Sequence, residues 1–121
     1  MLRPGELLRS IHLPVAALTK RAAFRHASLT KLGRSAALII GTQTPAFDNL
    51  LITITAATPR PVQLRFAQPP SAAELRQAID AHILADGYFD DVHGSAPYKQ
   101  HLTYHFAEQI RVELALTGAR P

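Results

Sequence analysis

Leu50-Leu51-Ile52-Thr53-Ile54-Thr55-Ala56-Ala57 is the strongest strand signal in the chain. β-branched residues fill it, and Ile52 and Ile54 alternate with Thr53 and Thr55, as a half-buried sheet prefers. Upstream, Ala36-Ala37-Leu38-Ile39-Ile40-Gly41-Thr42 is an apolar run of strand length. Thr44-Pro45-Ala46-Phe47-Asp48-Asn49 lies between them as a cluster of turn residues. The two runs are therefore expected to pair as a hairpin. Pro59-Arg60-Pro61 is read as the end of the sheet, because proline donates nothing to a ladder.

Toward the N-terminus the strand pattern continues. Leu8, Ile11 and Leu13 alternate imperfectly with polar residues and predict a short strand stopped by Pro14. Residues 15–22 read as a connection, residues 23–31 as a further strand, and Gly33-Arg34 as a turn.

Toward the C-terminus the period changes. After Gln68-Pro69-Pro70, Ser71 and Glu74 form a Ser-x-x-Glu capping box, in which each side chain satisfies a backbone donor of the first turn. Leu75, Ile79, His82, Ile83 and Leu84 are the expected buried side of that helix, which is read as ending near Gly87. A second turn, Phe89-Asp90-Asp91-Val92-His93-Gly94, leads to Ser95 as an N-cap, with Pro97 in the first turn where no donor is needed. Tyr98, Leu102, Phe106, Ile110 and Leu114 then recur every fourth residue, with Gly118 as the stop. Strands first and helices afterwards predict an α+β domain: a small antiparallel sheet of three to four strands, covered on one face by two to three helices.

The 121 residues make one domain, and 47% hydrophobic content suffices for a core. There is no cysteine, which excludes disulfides, thiolate metal sites and cysteine nucleophiles and suits the cytoplasm. No apolar run approaches the ~20 residues of a membrane span. Pro4 and Glu6 follow the N-terminus where a secretory signal would need an apolar stretch. Residues 1–35 hold seven Lys/Arg against Glu6, a local charge of +6, whereas residues 36–121 hold six bases and eight acids, or −2. The basic segment is read as folded strands rather than a transit peptide, and its field favours an anionic neighbour.

Several segments together resemble one family. Asp90-Asp91-Val92-His93-Gly94-Ser95-Ala96-Pro97-Tyr98-Lys99-Gln100-His101-Leu102 is similar to the Asp-Asp-x-(Arg or His)-Gly-Ser-x-x-Tyr-(Arg or Lys)-x-x-Leu segment that opens the last helix in the C-terminal domain of the FAD subunit of molybdenum hydroxylases, the xanthine dehydrogenases and aerobic carbon monoxide dehydrogenases. Gly5 to Pro14 looks like that domain's entry strand, and Ile52 to Val62 like its central strand with a Pro-x-Pro-Val exit. The matches fall in the family's order along nearly the whole chain. The resemblance implies an α+β domain that packs on an FAD-binding domain and walls one side of the isoalloxazine. It implies partnership with that domain, an iron–sulfur subunit and a molybdenum-cofactor subunit, with no catalytic residue of its own. The family carries a base facing the flavin near residues 24–34. Anchoring on Phe24 selects Arg25 with His26; anchoring on Lys31-Leu32-Gly33-Arg34 selects Lys31 and Arg34. Two departures are visible. The FAD-binding domain is absent, so tight FAD binding by this chain alone is not expected. The stretch from Ser71 to Ala85 has room for one helix where the family often has two.

Other chemistries find less support. His101 and His105 are spaced for a shared helix face, but no third ligand is evident except His93, so no metal site is expected. Asp90 and Asp91 precede a helix N-terminus, where negative charge is favourable without any acid–base role. The six glycines are isolated, so no phosphate-cradling loop exists. No serine sits in a nucleophile elbow. A stand-alone binding or assembly module of the same fold is the alternative reading. Nucleic-acid binding would need aromatics among the bases, and only Phe24 qualifies.

Overall fold

Residues 21–66 fold as an antiparallel meander. The computed structural model describes residues 3–116, and the sheet strands are β1 (Arg21–Ser28), β2 (Ser35–Gln43), β3 (Leu50–Thr55) and β4 (Val62–Phe66). Their order is β1-β2-β3-β4, every pair antiparallel. The expected hairpin is β2–β3, with Ile39 opposite Ile54 and Gly41 opposite Ile52. Alternation divides the side chains as a period of two requires: Leu50, Ile52 and Ile54 are buried, while Leu51, Thr53 and Thr55 face the other way.

Two expectations about where the sheet begins and ends need correction. Pro59-Arg60-Pro61 does not end the sheet; it lies in the loop of the β3–β4 hairpin, and Val62-Gln63-Leu64-Arg65-Phe66 pairs with β3. The prolines stand outside the ladder, where their missing donor costs nothing. The segment expected as an entry strand, residues 6–13, forms no strand and its residues are exposed. A strand exists only where another strand satisfies its backbone, and here neither sheet edge receives it. A single helical turn, α1 (Val15–Leu18), follows it and buries none of its residues.

The helices cover one face. In α2 (Ala72–His82), the Ser71 Oγ accepts from the Glu74 N–H at 3.2 Å, and the Ser71 N–H donates to Glu74 Oε2 at 2.7 Å, completing the capping box. The hydrogen bond from the Ser71 N–H holds the Glu74 carboxyl below its ordinary range. α2 stops at His82 rather than near Gly87, so His82 and Leu84 are exposed while Leu75, Ile79 and Ile83 are buried. α3 (Ala96–Leu116) begins after Ser95, whose Oγ accepts from the Tyr98 N–H at 3.4 Å. Gly118, the expected stop, lies outside the described residues. Ser71→Ala is expected to cost about 1 kcal/mol in chemical unfolding. Ser95→Ala, with its longer bond, is expected to cost less.

The buried side of α3 is Lys99, Leu102, Thr103, Ala107, Ile110 and Leu114, which keeps Leu102, Ile110 and Leu114 of the every-fourth-residue row but not Tyr98 or Phe106. Four residues advance a helix by more than one 3.6-residue turn, so such a row drifts around the helix and its first member, Tyr98, falls outside the buried side. Tyr98 is consequently exposed and Phe106 half-buried. α3 lies across β1 and β2, and α2 packs on α3 and β4. α3 approaches the sheet closely at Gly41, where a Cβ would stand 2.3 Å from Ile110 Cγ2. Among the described residues no helix is long and apolar enough to cross a membrane.

Candidate functional site

With the helices on one side, the sheet keeps a second face that nothing in the described chain covers. The register places Phe24, Ile40, Thr53 and Gln63 in one row across all four strands of it. His26, Leu38 and Thr55 form the adjacent row, and Leu51 lies opposite Arg65 in another. Phe24 is 66% exposed, although aromatic rings are ordinarily among the most deeply buried side chains. Leu38, Ile40 and Leu51 are half-exposed. Its middle strands carry Leu38, Ile40 and Leu51 together with Thr42, Thr53 and Thr55, and its edge strands carry Phe24, His26, Gln63 and Arg65.

The four bases expected near a flavin separate onto different surfaces. His26 stands on the bare face beside Phe24. Arg25, its neighbour in β1, points to the helical side. Its Nε donates to Gln109 Oε1 at 3.0 Å, and one terminal amine lies 2.5 Å from Glu113 Oε2. Arg25 thus fastens β1 to α3 over a groove lined also by His105, Val112 and Leu116. Adjacent strand residues face opposite ways, so Arg25 and His26 do not act on one ligand. Lys31 and Arg34 are exposed in the β1–β2 turn, which closes through the Gly33 N–H donating to the Thr30 carbonyl at 2.9 Å. Neither has a hydrogen-bonding or ionic partner among the described residues. The turn joins the sheet at the end where His26 and Leu38 lie, so both cations stand beyond that end of the sheet.

The acidic bend before α3 is a structural clasp. The Lys99 side chain is fully buried, and its Nζ lies 2.9 Å from Asp91 Oδ1, with the Phe89 ring 5.8 Å away. The same carboxylate oxygen accepts the His93 N–H at 2.8 Å. Lys99 is the main cause holding the Asp91 carboxyl below its ordinary range, assisted by the His93 amide. Asp91 and Gly94 exchange backbone bonds of 3.3 and 3.1 Å. Gly94 adopts φ +153°, and a Cβ there would meet Tyr98 Cδ1 at 2.8 Å. The Phe89 N–H donates to the Ala57 carbonyl at 3.0 Å, so the bend also ties α3 to the β3–β4 loop. Sequence reading placed Asp91 correctly in a turn but did not identify its buried partner. A lysine four residues past a helix N-cap and eight past an aspartate was the available signal.

His101 and His105 stack on α3, with ring centroids 6.0 Å apart, but no group of three metal-ligating side chains occurs among the described residues. Tyr88 is buried beneath the bend, and desolvation pushes its hydroxyl up to about 12, so it stays protonated at all ordinary pH values. Comparison of the chain with protein-family models, curated proteins and solved structures finds no match.

Proposed function

We propose that this chain is the domain that walls the FAD pocket in the flavin subunit of a xanthine dehydrogenase-like molybdenum hydroxylase. One observation carries the reading: a four-stranded sheet with one face packed by helices and the other bare, with two unpaired cations in the turn at one end. A half-apolar face of this kind suits a planar aromatic ligand or a second domain better than bulk water. The ordered sequence resemblance names the ligand and the partners: FAD, an FAD-binding domain, an iron–sulfur subunit and a molybdenum-cofactor subunit.

The residues fit walling FAD rather than holding it. Among the described residues there is no glycine-rich loop to cradle a pyrophosphate, so the flavin is held by the partner domain. When bound, the flavin passes electrons between redox centres and gathers negative charge on its pyrimidine side as it is reduced. Lys31 and Arg34 stabilise that charge, because fixed cations at a water-poor interface act more strongly than in solution. Phe24 and Ile40 exclude water from the contact. His26 borders it as a hydrogen-bonding group. Arg25 keeps β1 seated on α3 and has no part in the contact. The chain acts by shape and charge within an electron-transfer assembly in the cytoplasm.

Two measurements check this. The isolated chain is expected to purify colourless, and titrated FAD is expected to keep the fluorescence of free flavin; a yellow preparation with stoichiometric flavin contradicts the reading. In complex with the FAD-binding domain, Lys31→Ala/Arg34→Ala is expected to lower the flavin reduction potential by several tens of millivolts, a change on the order of 1–2 kcal/mol. An unchanged potential removes these two residues from the flavin's surroundings.

A further inference from the structure

At the end of the strands opposite the Lys31–Arg34 turn lies a cavity of about 440 Å³. Lys20 and Arg65 line it, together with Thr44, Asn49, Leu51 and Phe66, and no carboxylate does. Leu51 and Arg65 are paired across β3 and β4 on the uncovered face, and the Asn49 N–H donates to the Ala67 carbonyl at 3.0 Å, so the two strands stay joined where the cavity lies. The Arg65 guanidinium donates to Gln63 Oε1 at 2.8 Å. Gln63 is neutral, so the guanidinium keeps its whole charge and its other donors. Lys20 has no hydrogen-bonding or ionic partner among the described residues. Asp48, the acid of the adjoining turn, is engaged by the turn itself. The Thr44 hydroxyl donates to its carboxylate and, with the Asn49 side chain, holds the carboxyl below its ordinary range. Several other cations are already answered: Arg25, Lys99 and Arg111 face carboxylates, and Arg21 and Arg76 lie over aromatic rings. Two uncompensated cations on one cavity concentrate a positive potential that draws in an anion.

We propose that this cavity binds the terminal phosphate of a small organic phosphate ester. A guanidinium presents a planar fork of donors that suits phosphate oxygens, and an ammonium adds a second point charge. A phosphate dianion answers both cations, whereas a carboxylate answers one. Leu51 and Phe66 offer apolar contact to the organic part, as small-molecule sites ordinarily do. Recognition through side chains needs no glycine-rich loop. The pyrophosphate of FAD is a diester with no terminal dianion, so the site stands apart from the flavin reading and from its cations, Lys31 and Arg34, at the far end of the strands.

The test is a backbone-amide NMR titration of the full chain with inorganic phosphate and with phenyl phosphate. Mildly alkaline pH keeps both probes largely dianionic, and chloride holds the ionic strength constant. Saturable shifts are expected at Lys20, Asn49, Arg65 and Ala67, with phenyl phosphate bound the more tightly of the two. Lys20→Gln/Arg65→Gln changes two exposed positions. It is expected to keep the parent spectrum elsewhere and to weaken binding by at least about tenfold. Arg65→Lys keeps the charge but loses the fork, and its affinity is expected to fall between those of the parent and the double variant. Shifts that fail to saturate, or that are as large at Lys31 and Arg34, overturn the site, since they report general attraction to a basic chain. Unchanged affinity in the double variant overturns it as well. Equal affinity for the two probes overturns the organic ester, because the cavity then reads phosphate alone.

Discussion

Lys99→Ala is expected to destabilise the protein by about 3 kcal/mol, lowering its melting temperature by roughly 10–15 °C. Two losses combine. The alkyl stem is wholly enclosed, so truncation leaves a cavity at the start of α3. The ammonium is the ionic partner of Asp91, whose carboxylate also organises the bend through the His93 amide. Lys99→Met keeps most of the stem and separates the two contributions; it is expected to cost about 1 kcal/mol. The pair also gives a pH signature. The folded-state pKa of Asp91 is depressed, so its contribution is fully present above the unfolded value of about 4 and is lost as pH falls through the lower folded value. Asp91→Asn is therefore expected to flatten that part of the acid-denaturation profile, with little further loss below it. An acid limb identical in parent and variant removes the ion pair from the stability of the fold.

Gly41→Val is the second large effect. Valine is normally favourable in a central strand, and Gly41 does not occupy a positive φ, so local propensity alone favours the substitution. Packing reverses the sign. The added side chain enters space held by Ile110 Cγ2 at 2.3 Å and Leu114 Cδ1 at 3.0 Å. The substitution is expected to cost about 2 kcal/mol as α3 is forced off the sheet. Adding Ile110→Ala is expected to recover part of the loss, a non-additivity that chemical unfolding of the two single variants and the double variant measures directly. A stabilised Gly41→Val variant would mean that α3 does not cross β2 at this point.

What could be read from sequence was what depends on neighbours in the chain. The β2–β3 hairpin follows from two apolar runs and a turn between them, and the α2 start follows from Ser71 and Glu74 reaching back to each other. Local rules erred where pairing decides. Val62 to Phe66 alternates clearly, but the prolines before it read as a terminus because nothing local shows that β3 has a free side. Residues 6–13 alternate too, and they form no strand because no described strand receives them. The site was legible only in part. Its bases were visible, and strand alternation alone already separates Arg25 from His26. The inward side of α3 was legible at Leu102, Ile110 and Leu114 but not at Lys99, a charged residue whose burial depends on Asp91 standing beside it.

Most directly at issue is whether the bare face of the sheet meets a flavin-bearing partner. The measurement is size-exclusion chromatography with light scattering and absorbance at flavin wavelengths, on this chain mixed with the FAD-binding domain proposed as its partner. The expected result is one species, heavier than the FAD-binding domain by the chain's 13.2 kDa, with flavin absorbance coincident and with altered flavin fluorescence that Phe24→Asp abolishes. Separate elution of a colourless chain and an unchanged flavoprotein contradicts it.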